Sequence, residues 1–554
     1  MNIITFLLKK FCTLEKNKLV SIIVLSIIIN VIYINVISFI TANIIQCVQK
    51  KDKVKTYKYF KYFIYLSLFF ILCYYLYKYL QNKLLIRLRH WIRQELVKIV
   101  LDVNNENLSE MNFSQVMVHI NRISNNCYQI MYDIFTTTIP DLSLLTAMSV
   151  YFLYKNPLLG SIFISGNLVI VGYVMKYWND MLEKQVKYEK VSYANEYDTI
   201  EILNNIDKII SRGQHNNEMD IFSKSIDNCI NESFIFHQNN ANHNTKMMII
   251  VYCTIFVFMV YLIKLFYNQK VDATTFITFL TIILLYRDRV GSIITQVPDY
   301  IDFMGKLEIV TNLFNSMKED HEQVLKKPRD IYERDENLEF NNIRLEDVSF
   351  KYDKNNKQVL DKLNLELELN NNVIGIVGPS GQGKSTISKL LIKLYKYDGN
   401  IYIDGKDLKE INTGYIRKNI IYVNQNSRLF DRTLIDNIMY GCYDRDVCIN
   451  HLEEIKKFPK INAILQKFDL ENMKAGQHGE NISGGQRQIM NIISGLIIPS
   501  KICILDEPTN ALDASLKEDI INLISYFKKY KKAIIVITHD KEVYRIFDKQ
   551  ISIA

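Results

Sequence analysis

No C-x-x-C pair and no Cys/His cluster occurs in the 554 residues, although nine cysteines are present. Zinc-binding spacing is therefore absent, nothing suggests a disulfide framework, and the cysteines read as packing residues. Arginine is missing from the first 18 residues, which carry lysine and are followed by no small-residue cleavage site. They match neither a secretory leader nor a clear transit peptide. A continuous basic face is missing too. The net charge is +8, but the lysines lie scattered at the ends of apolar runs. That suits the borders of membrane segments better than a nucleic-acid surface, and no nucleic-acid partner is expected.

What the chain does have is long apolar runs. Hydrophobic residues make up 49% and charged residues 23%, but these averages hide two unlike halves. Roughly 20 apolar residues cross a bilayer as a helix. Runs at about 19–45, 57–80, 134–154, then onward to 176, 247–266 and 274–297 predict six crossings of a lipid bilayer. Polar stretches at 87–103 and 181–209 still read as helix and would carry two of these spans out of the membrane at about 1.5 Å per residue. An even number of crossings puts both ends on one side. Lys9, Lys10, Lys16 and Lys18 fit a cytosolic or matrix side, whereas Lys50, Lys51, Lys53 and Lys55 oppose it.

Polar residues inside spans are costly, so they mark candidate functional positions. Tyr286, Arg287 and Arg289 in the last span would line a path favouring an anionic cargo; the alternative is that Arg287 simply pairs with Asp288. Asn30 and Asn35 are expected to bond neighbouring helices. Residues 317–337 are charged and non-periodic. The predicted organisation is a membrane domain over 1–316, a linker over 317–337 and an α/β domain over 338–554.

The second half centres on Gly378-Pro379-Ser380-Gly381-Gln382-Gly383-Lys384-Ser385-Thr386. An apolar run precedes it and a helical pattern follows, which is the context the G-x-x-x-x-G-K-[ST] pattern requires. Glycines let successive N–H groups turn inward around phosphate oxygens, and the helix N-terminus adds its positive end. Lys384 would reach the outer phosphates, and the Ser385 hydroxyl would ligate Mg²⁺. The apolar strand ending in Asp506 and Glu507 supplies a second Mg²⁺ ligand and a candidate base for the attacking water. Gln425 follows another apolar strand and is a candidate for Mg²⁺ or the water. His539 ends a third strand, placed to contact the γ-phosphate. Tyr352 closes a strand and would stack on a base. Ser483-Gly484-Gly485-Gln486 opens a further helix and forms a second anion cradle. Two cradles in one domain make sense if two copies complete each other's pocket.

This set resembles the nucleotide-binding domain of ABC transporters. Gly378 to Thr386 match the phosphate loop, Tyr352 the aromatic loop, Gln425 the Q-loop and Ile482-Ser483-Gly484-Gly485-Gln486 the signature. Asp506 and Glu507 match the Walker B acids, Asn510-Ala511-Leu512-Asp513 the D-loop and His539 the switch histidine. With six spans ahead of one such domain, the chain resembles an exporter-type half-transporter. The fold this implies is an all-α transmembrane domain joined to an α/β P-loop NTPase. The resemblance further implies ATP and Mg²⁺ as cofactors and ATP-driven export of an unidentified substrate. It implies a homodimer, or a heterodimer with another half-transporter, with coupling segments near 121–126 and 200–209. Departures include Ile482 for leucine, Asn510 for serine, and Gln477 where exporters often carry glutamate. An ATP-gated channel or membrane regulator is the rival reading.

Overall fold

The computed structural model describes residues 3–34, 40–105, 107–108, 113–326, 337–352, 358–379, 381–425, 428–510 and 512–553. The chain forms two compact units, Met1–Ile99 with Asn112–Asp320, and Val100–Met111 with His321–Ala554.

The first unit is helical: α1 (Ile3–Leu14), α2 (Lys16–Ile34), α3 (Thr41–Gln49), α4 (Lys53–Val103), α5 (Phe113–Asp133), α6 (Ile139–Lys155), α7 (Pro157–Asn204), α8 (Ile206–Ser211), α9 (His215–Tyr267) and α10 (Ala273–Lys326). Among the described residues α4, α7 and α9 are each long and apolar enough to cross a membrane alone. The expected run 19–45 divides into α2 and α3, and Asn35 lies outside the described residues. Asn156 starts α7 by accepting from the N–H groups of Leu158 and Leu159 at 3.1 Å, with Pro157 in the first turn, where its missing N–H costs nothing. Pro140 has no N–H to give the preceding turn, and the backbone there widens into a π-helical stretch, Ile134–Thr138.

Small residues and aromatics set the helix packing. A Cβ on Gly166 would fall 2.3 Å from the Thr254 methyl, so only glycine allows α7 and α9 to approach this closely. Phe152 then meets Phe163, Phe258 and Phe279 with ring centroids 5.1, 4.9 and 5.3 Å apart. Asn30 bonds a neighbouring helix as expected, its Nδ2 donating to the Pro140 carbonyl at 2.8 Å and to the Ser143 hydroxyl.

Two boundaries differ from expectation. Helix α10 continues to Lys326, through the first half of the expected linker. Glu322 stands four residues before Lys326, a helix-supporting spacing, and Pro328 follows. The 121–126 stretch lies within α5. Residues 100–111 instead belong to the second unit. There the Arg417 guanidinium donates to the Asn105 side chain at 2.6 Å, and the Leu108 N–H donates to the Leu394 carbonyl at 2.7 Å.

The second unit holds two sheets. An antiparallel sheet runs β2 (Gln358–Glu368), β1 (Asn342–Lys351), β4 (Asp398–Ile403), β5 (Lys406–Asp407). A parallel sheet runs β6 (Ile420–Val423), β7 (Ile502–Asp506), β8 (Ala533–Ile537), β3 (Asn372–Val377), β9 (Lys549–Ser552). Strands β7 and β8 are buried at all five positions, which is why they read as unbroken apolar runs. Helix α11 (Lys384–Leu391) follows β3, and α12 (Thr413–Asn419) precedes β6. A helical insert of α13 (Leu434–Ile438), α14 (Arg445–Ile455) and α15 (Pro459–Leu465) comes before α16 (Gly484–Ile497). Helix α17 (Ala514–Phe527) follows β7. Two cysteines depart from the packing role expected of all nine: Cys442 and Cys448 are joined by a disulfide, because the turn after α13 brings their Cα atoms to 6.6 Å.

Candidate functional site

The parallel register decides which residues meet. Ile376 pairs with Ile537, Asp506 with Ile537 and Val423 with Leu505, so four strands end nearly level. Loops leaving the carboxyl ends of such strands share one crevice. That crevice is a cavity of about 560 Å³, lined by Tyr352, Gly378, Pro379, Gly381, Gly383, Lys384, Ser385, Thr386, Gln425, Asp506, Glu507 and His539. Residues 150 or more positions apart in sequence are thereby gathered at one place. Ser380 lies outside the described residues.

Glycine is required where the loop turns. Gly383 caps α11 at φ +80, and a Cβ there would lie 2.6 Å from the Leu360 Cδ2. Gly378 has φ +152, and its Cβ would lie 2.4 Å from the Ile553 carbonyl oxygen. The Lys384 ammonium is buried and donates to the Gly378 and Pro379 carbonyls at 2.9 and 2.7 Å. It sits on the rim of its own loop, the position from which a cation neutralises phosphate oxygens. Tyr352 bonds the Thr386 hydroxyl at 3.0 Å and packs edge-on against Phe350 and Tyr395. Gln382 does not line the cavity.

The two acids differ in their surroundings. Asp506 is 5% exposed and accepts from the Tyr422 hydroxyl at 2.8 Å. Burial, followed by the Asp506 charge, pushes the Tyr422 hydroxyl well above the usual tyrosine range, so it keeps its proton and donates. Glu507 is held from four directions. Its N–H donates to the Ile537 carbonyl at 2.8 Å, and its carbonyl accepts from the Gln488 amide at 2.8 Å. Its carboxylate accepts from the Thr538 hydroxyl at 3.2 Å and lies 2.7 Å from His539 Nδ1. Toward an ionised carboxylate the ring nitrogen is the donor and the Glu507 oxygen the acceptor. Glu507 also has φ +50, a left-handed backbone that a non-glycine residue keeps only where its neighbours enforce it.

Ser385, Gln425 and Asp506 present hydroxyl, amide and carboxylate oxygens to the same cavity. An all-oxygen donor set fits Mg²⁺. Gly378, Gly381 and Gly383, all at positive φ, let the loop curl in the way a triphosphate needs.

Other expected residues lie elsewhere. Ser483 caps α16 in a reciprocal box: its N–H donates to Gln486 Oε1 at 2.9 Å, and its hydroxyl accepts from the Gln486 N–H at 3.3 Å. Ser483 and Gly484 are exposed, Gly485 and Gln486 half-buried, and none of the four lines the phosphate cavity. Asp513 caps α17, accepting from the Leu516 and Ser515 N–H groups at 2.8 and 3.1 Å, bonds that lower its carboxyl below the usual range. In the helical unit Tyr286 is 0% exposed and packs on Phe163 at 4.6 Å. Arg287 bonds Asp288 at 2.9 Å, the alternative weighed from sequence, and Arg289 reaches Asp141 at 3.4 Å. Sequence reading missed Tyr422, Gln488 and Thr538. Only the proximity of Tyr422 to Gln425, and of Thr538 to His539, signalled two of them.

Fold and site together define a P-loop domain joined to a helical membrane unit. The family described as ABC transporter matches residues 360–510, and the family described as ABC transporter transmembrane region matches residues 19–290. A putative ABC transporter ATP-binding protein of Methanocaldococcus jannaschii is 32% identical over 218 residues, 37% of this chain and 74% of that one. ABC transporter B family member 29 of Arabidopsis thaliana, described as chloroplastic, is 38% identical over 202 residues, 36% of this chain and 32% of that one. An ATP-dependent lipid A-core flippase of Colwellia psychrerythraea is 32% identical over 197 residues, 35% of this chain and 33% of that one. The chain thus aligns with about a third of the length of the last two. The solved structure of a bacterial Atm1-family ABC exporter with ATP bound has the same fold, with TM-score 0.75 at 18% identity, covering 98% of this chain and 94% of that one. The chain belongs to the ABC transporter family, as a multi-pass integral membrane protein.

Proposed function

We propose that the protein is an ATP-driven exporter that works as a dimer of half-transporters, with six crossings per chain and Mg²⁺-ATP as the fuel. The observation that carries this reading is the single cavity shared by Lys384, Ser385, Gln425, Asp506, Glu507 and His539. Bound Mg²⁺ would supply charge neutralisation at the phosphates. Lys384 binds the outer phosphates. Ser385, Gln425 and Asp506 offer the metal its oxygens. Glu507 takes the proton of the attacking water, and Thr538 and His539 hold its carboxylate in place.

Two observations support a second chain. The signature residues do not line the phosphate cavity of their own chain, and Ser483 and Gly484 are exposed, so they can complete another copy's site. The tip formed by the end of α7 and by α8 leaves Leu203, Ile206 and Ile210 exposed, an apolar surface suited to a partner. ATP closes such a dimer because it binds the closed state better. Tyr286, Arg287 and Arg289 remain path-side candidates only in a conformation that opens the helix core.

The test is ATP-driven accumulation in inside-out vesicles, read by untargeted mass spectrometry, for wild type against Glu507→Gln. Wild type should enrich a compound, and the variant should lose hydrolysis by roughly 10²-fold or more. Hydrolysis without accumulation by wild type would refute export and favour a gate or regulator.

A further inference from the structure

Helices α5, α7, α9 and α10 line a second, partly open cavity of about 710 Å³ within the helical unit. On α7 the residues Gln185, Glu189, Ser192 and Glu196 recur at steps of four, three and four, so they share one face. On α10 the residues Asp299, Asp302 and Lys306 repeat in the same way. These stripes lie outside the six expected crossings, and Glu189, Ser192, Glu196, Asp299, Asp302 and Lys306 of them line one cavity.

We propose that this cavity is the cargo site and that it takes a lipophilic organic cation, an amine or a phosphonium with an apolar body. The proposal rests on the transport reading and names the cargo class. Glu189, Glu196, Asp299 and Asp302 share the cavity with Arg122 and Lys306, four acidic side chains against two basic ones. The cations are already engaged. Arg122 pairs with Glu189 at 3.5 Å and with Glu196, and Lys306 pairs with Asp302 at 2.6 Å. Gln185 secures the other Asp302 oxygen at 2.6 Å. Asp299 is left with no hydrogen bond or ion pair among the described residues, and burial, followed by the Asp302 charge, raises its carboxyl above the usual range, a shift that a cation beside it would oppose.

A second observation is independent of charge. Asn240 is 4% exposed and lines the cavity, and neither atom of its amide has a partner. A buried amide left unsatisfied on both atoms is costly unless something else meets it. Beside it Tyr188 stacks on Phe236, centroids 5.7 Å apart and planes at 7°. Aromatic side chains in the lining, an acidic side chain without an ion pair and an amide oxygen are groups that hold an organic cation. An anion would meet the surplus negative charge here. The basic pair anticipated earlier in α10 offers no counterweight, since Arg287 and Arg289 are bonded to Asp288 and Asp141.

The test uses two probes of the same shape and opposite charge, tetraphenylphosphonium and tetraphenylborate. Binding is measured on the full chain in zwitterionic-lipid nanodiscs, with empty nanodiscs subtracted. The cation should bind at least tenfold more tightly than the anion, and Asp299→Asn should weaken cation binding about tenfold. Equal or tighter binding of tetraphenylborate to wild type would overturn the proposal without any variant having to fold. Unchanged cation binding in correctly folded Asp299→Asn would overturn it as well. ATP-driven uptake of the same probes into inside-out vesicles separates the two readings. Saturable cation binding with no uptake would sink transport and leave the site standing. Uptake of the anion alone would sink the cation class and leave transport standing.

Discussion

Replacing Tyr422 with phenylalanine removes one hydroxyl and little volume, yet it should change how the protein uses Mg²⁺. The hydroxyl has a single hydrogen, and its nearer acceptor is Asp506 Oδ2 at 2.8 Å; the Asn424 side chain is 3.4 Å away. A hydrogen bond to a charged acceptor contributes about 1.5–3 kcal/mol. Asp506 lies at 5% exposure, so water replaces that donor poorly. Partners that hold a metal ligand in place are worth about 10- to 100-fold in metal affinity, in accord with that energy. The Mg²⁺ concentration giving half-maximal ATPase should therefore rise by about 10- to 100-fold in Tyr422→Phe. At saturating Mg²⁺ the kcat should fall by less than about threefold, because Glu507 keeps its own contacts. The assay is steady-state ATP hydrolysis titrated with free Mg²⁺. An unchanged Mg²⁺ midpoint would refute the positioning role, as would a loss in kcat alone.

Two further perturbations test the frame around the site. Lys531 is 2% exposed, with its ammonium donating to the Ile498 carbonyl and to the Ser500 hydroxyl at 3.0 Å, and burial pushes its pKa down from 10.5 to about 8. The folded state therefore sheds this proton first, so stability rises with pH above about 8 and is flat below it. The gain between pH 7.5 and 10 is about 2 kcal/mol. Urea midpoints of the nucleotide unit should show this gain in wild type and lack it in Lys531→Met; equal pH dependence in both would refute it. Gly383→Ala forces a Cβ to 2.6 Å from Leu360 at φ +80 and should weaken ATP photolabelling by tenfold or more. Wild-type labelling would show that the loop tolerates a side chain.

Much of the nucleotide domain was legible because its signals are local. Strands β7 and β8 are buried apolar runs that end at Asp506 and just before Thr538, β3 is one that runs into the glycine loop, and strand ends are where a doubly wound sheet places its chemistry. Residues 378–386 carry their own geometry, since the glycines permit a curl that few other sequences adopt. The helical unit was harder. Apolar length marks where a span can lie, but α10 ran past its expected end because charge spaced for a helix resembles charge in a linker. The arginines of α10 looked like a cargo path because sequence does not show that Asp141, on another helix, answers Arg289.

The sequence by itself determined the phosphate loop, the order of its partner acids and the presence of long apolar helices, since each depends on neighbours a few residues away. Tertiary structure alone decided that Tyr422 holds Asp506, that Gln488 and Thr538 clamp Glu507, and that Asp299 and Asn240 face one cavity. Those facts depend on strand register and helix rotation, which are fixed when separated segments bury their apolar faces against one another.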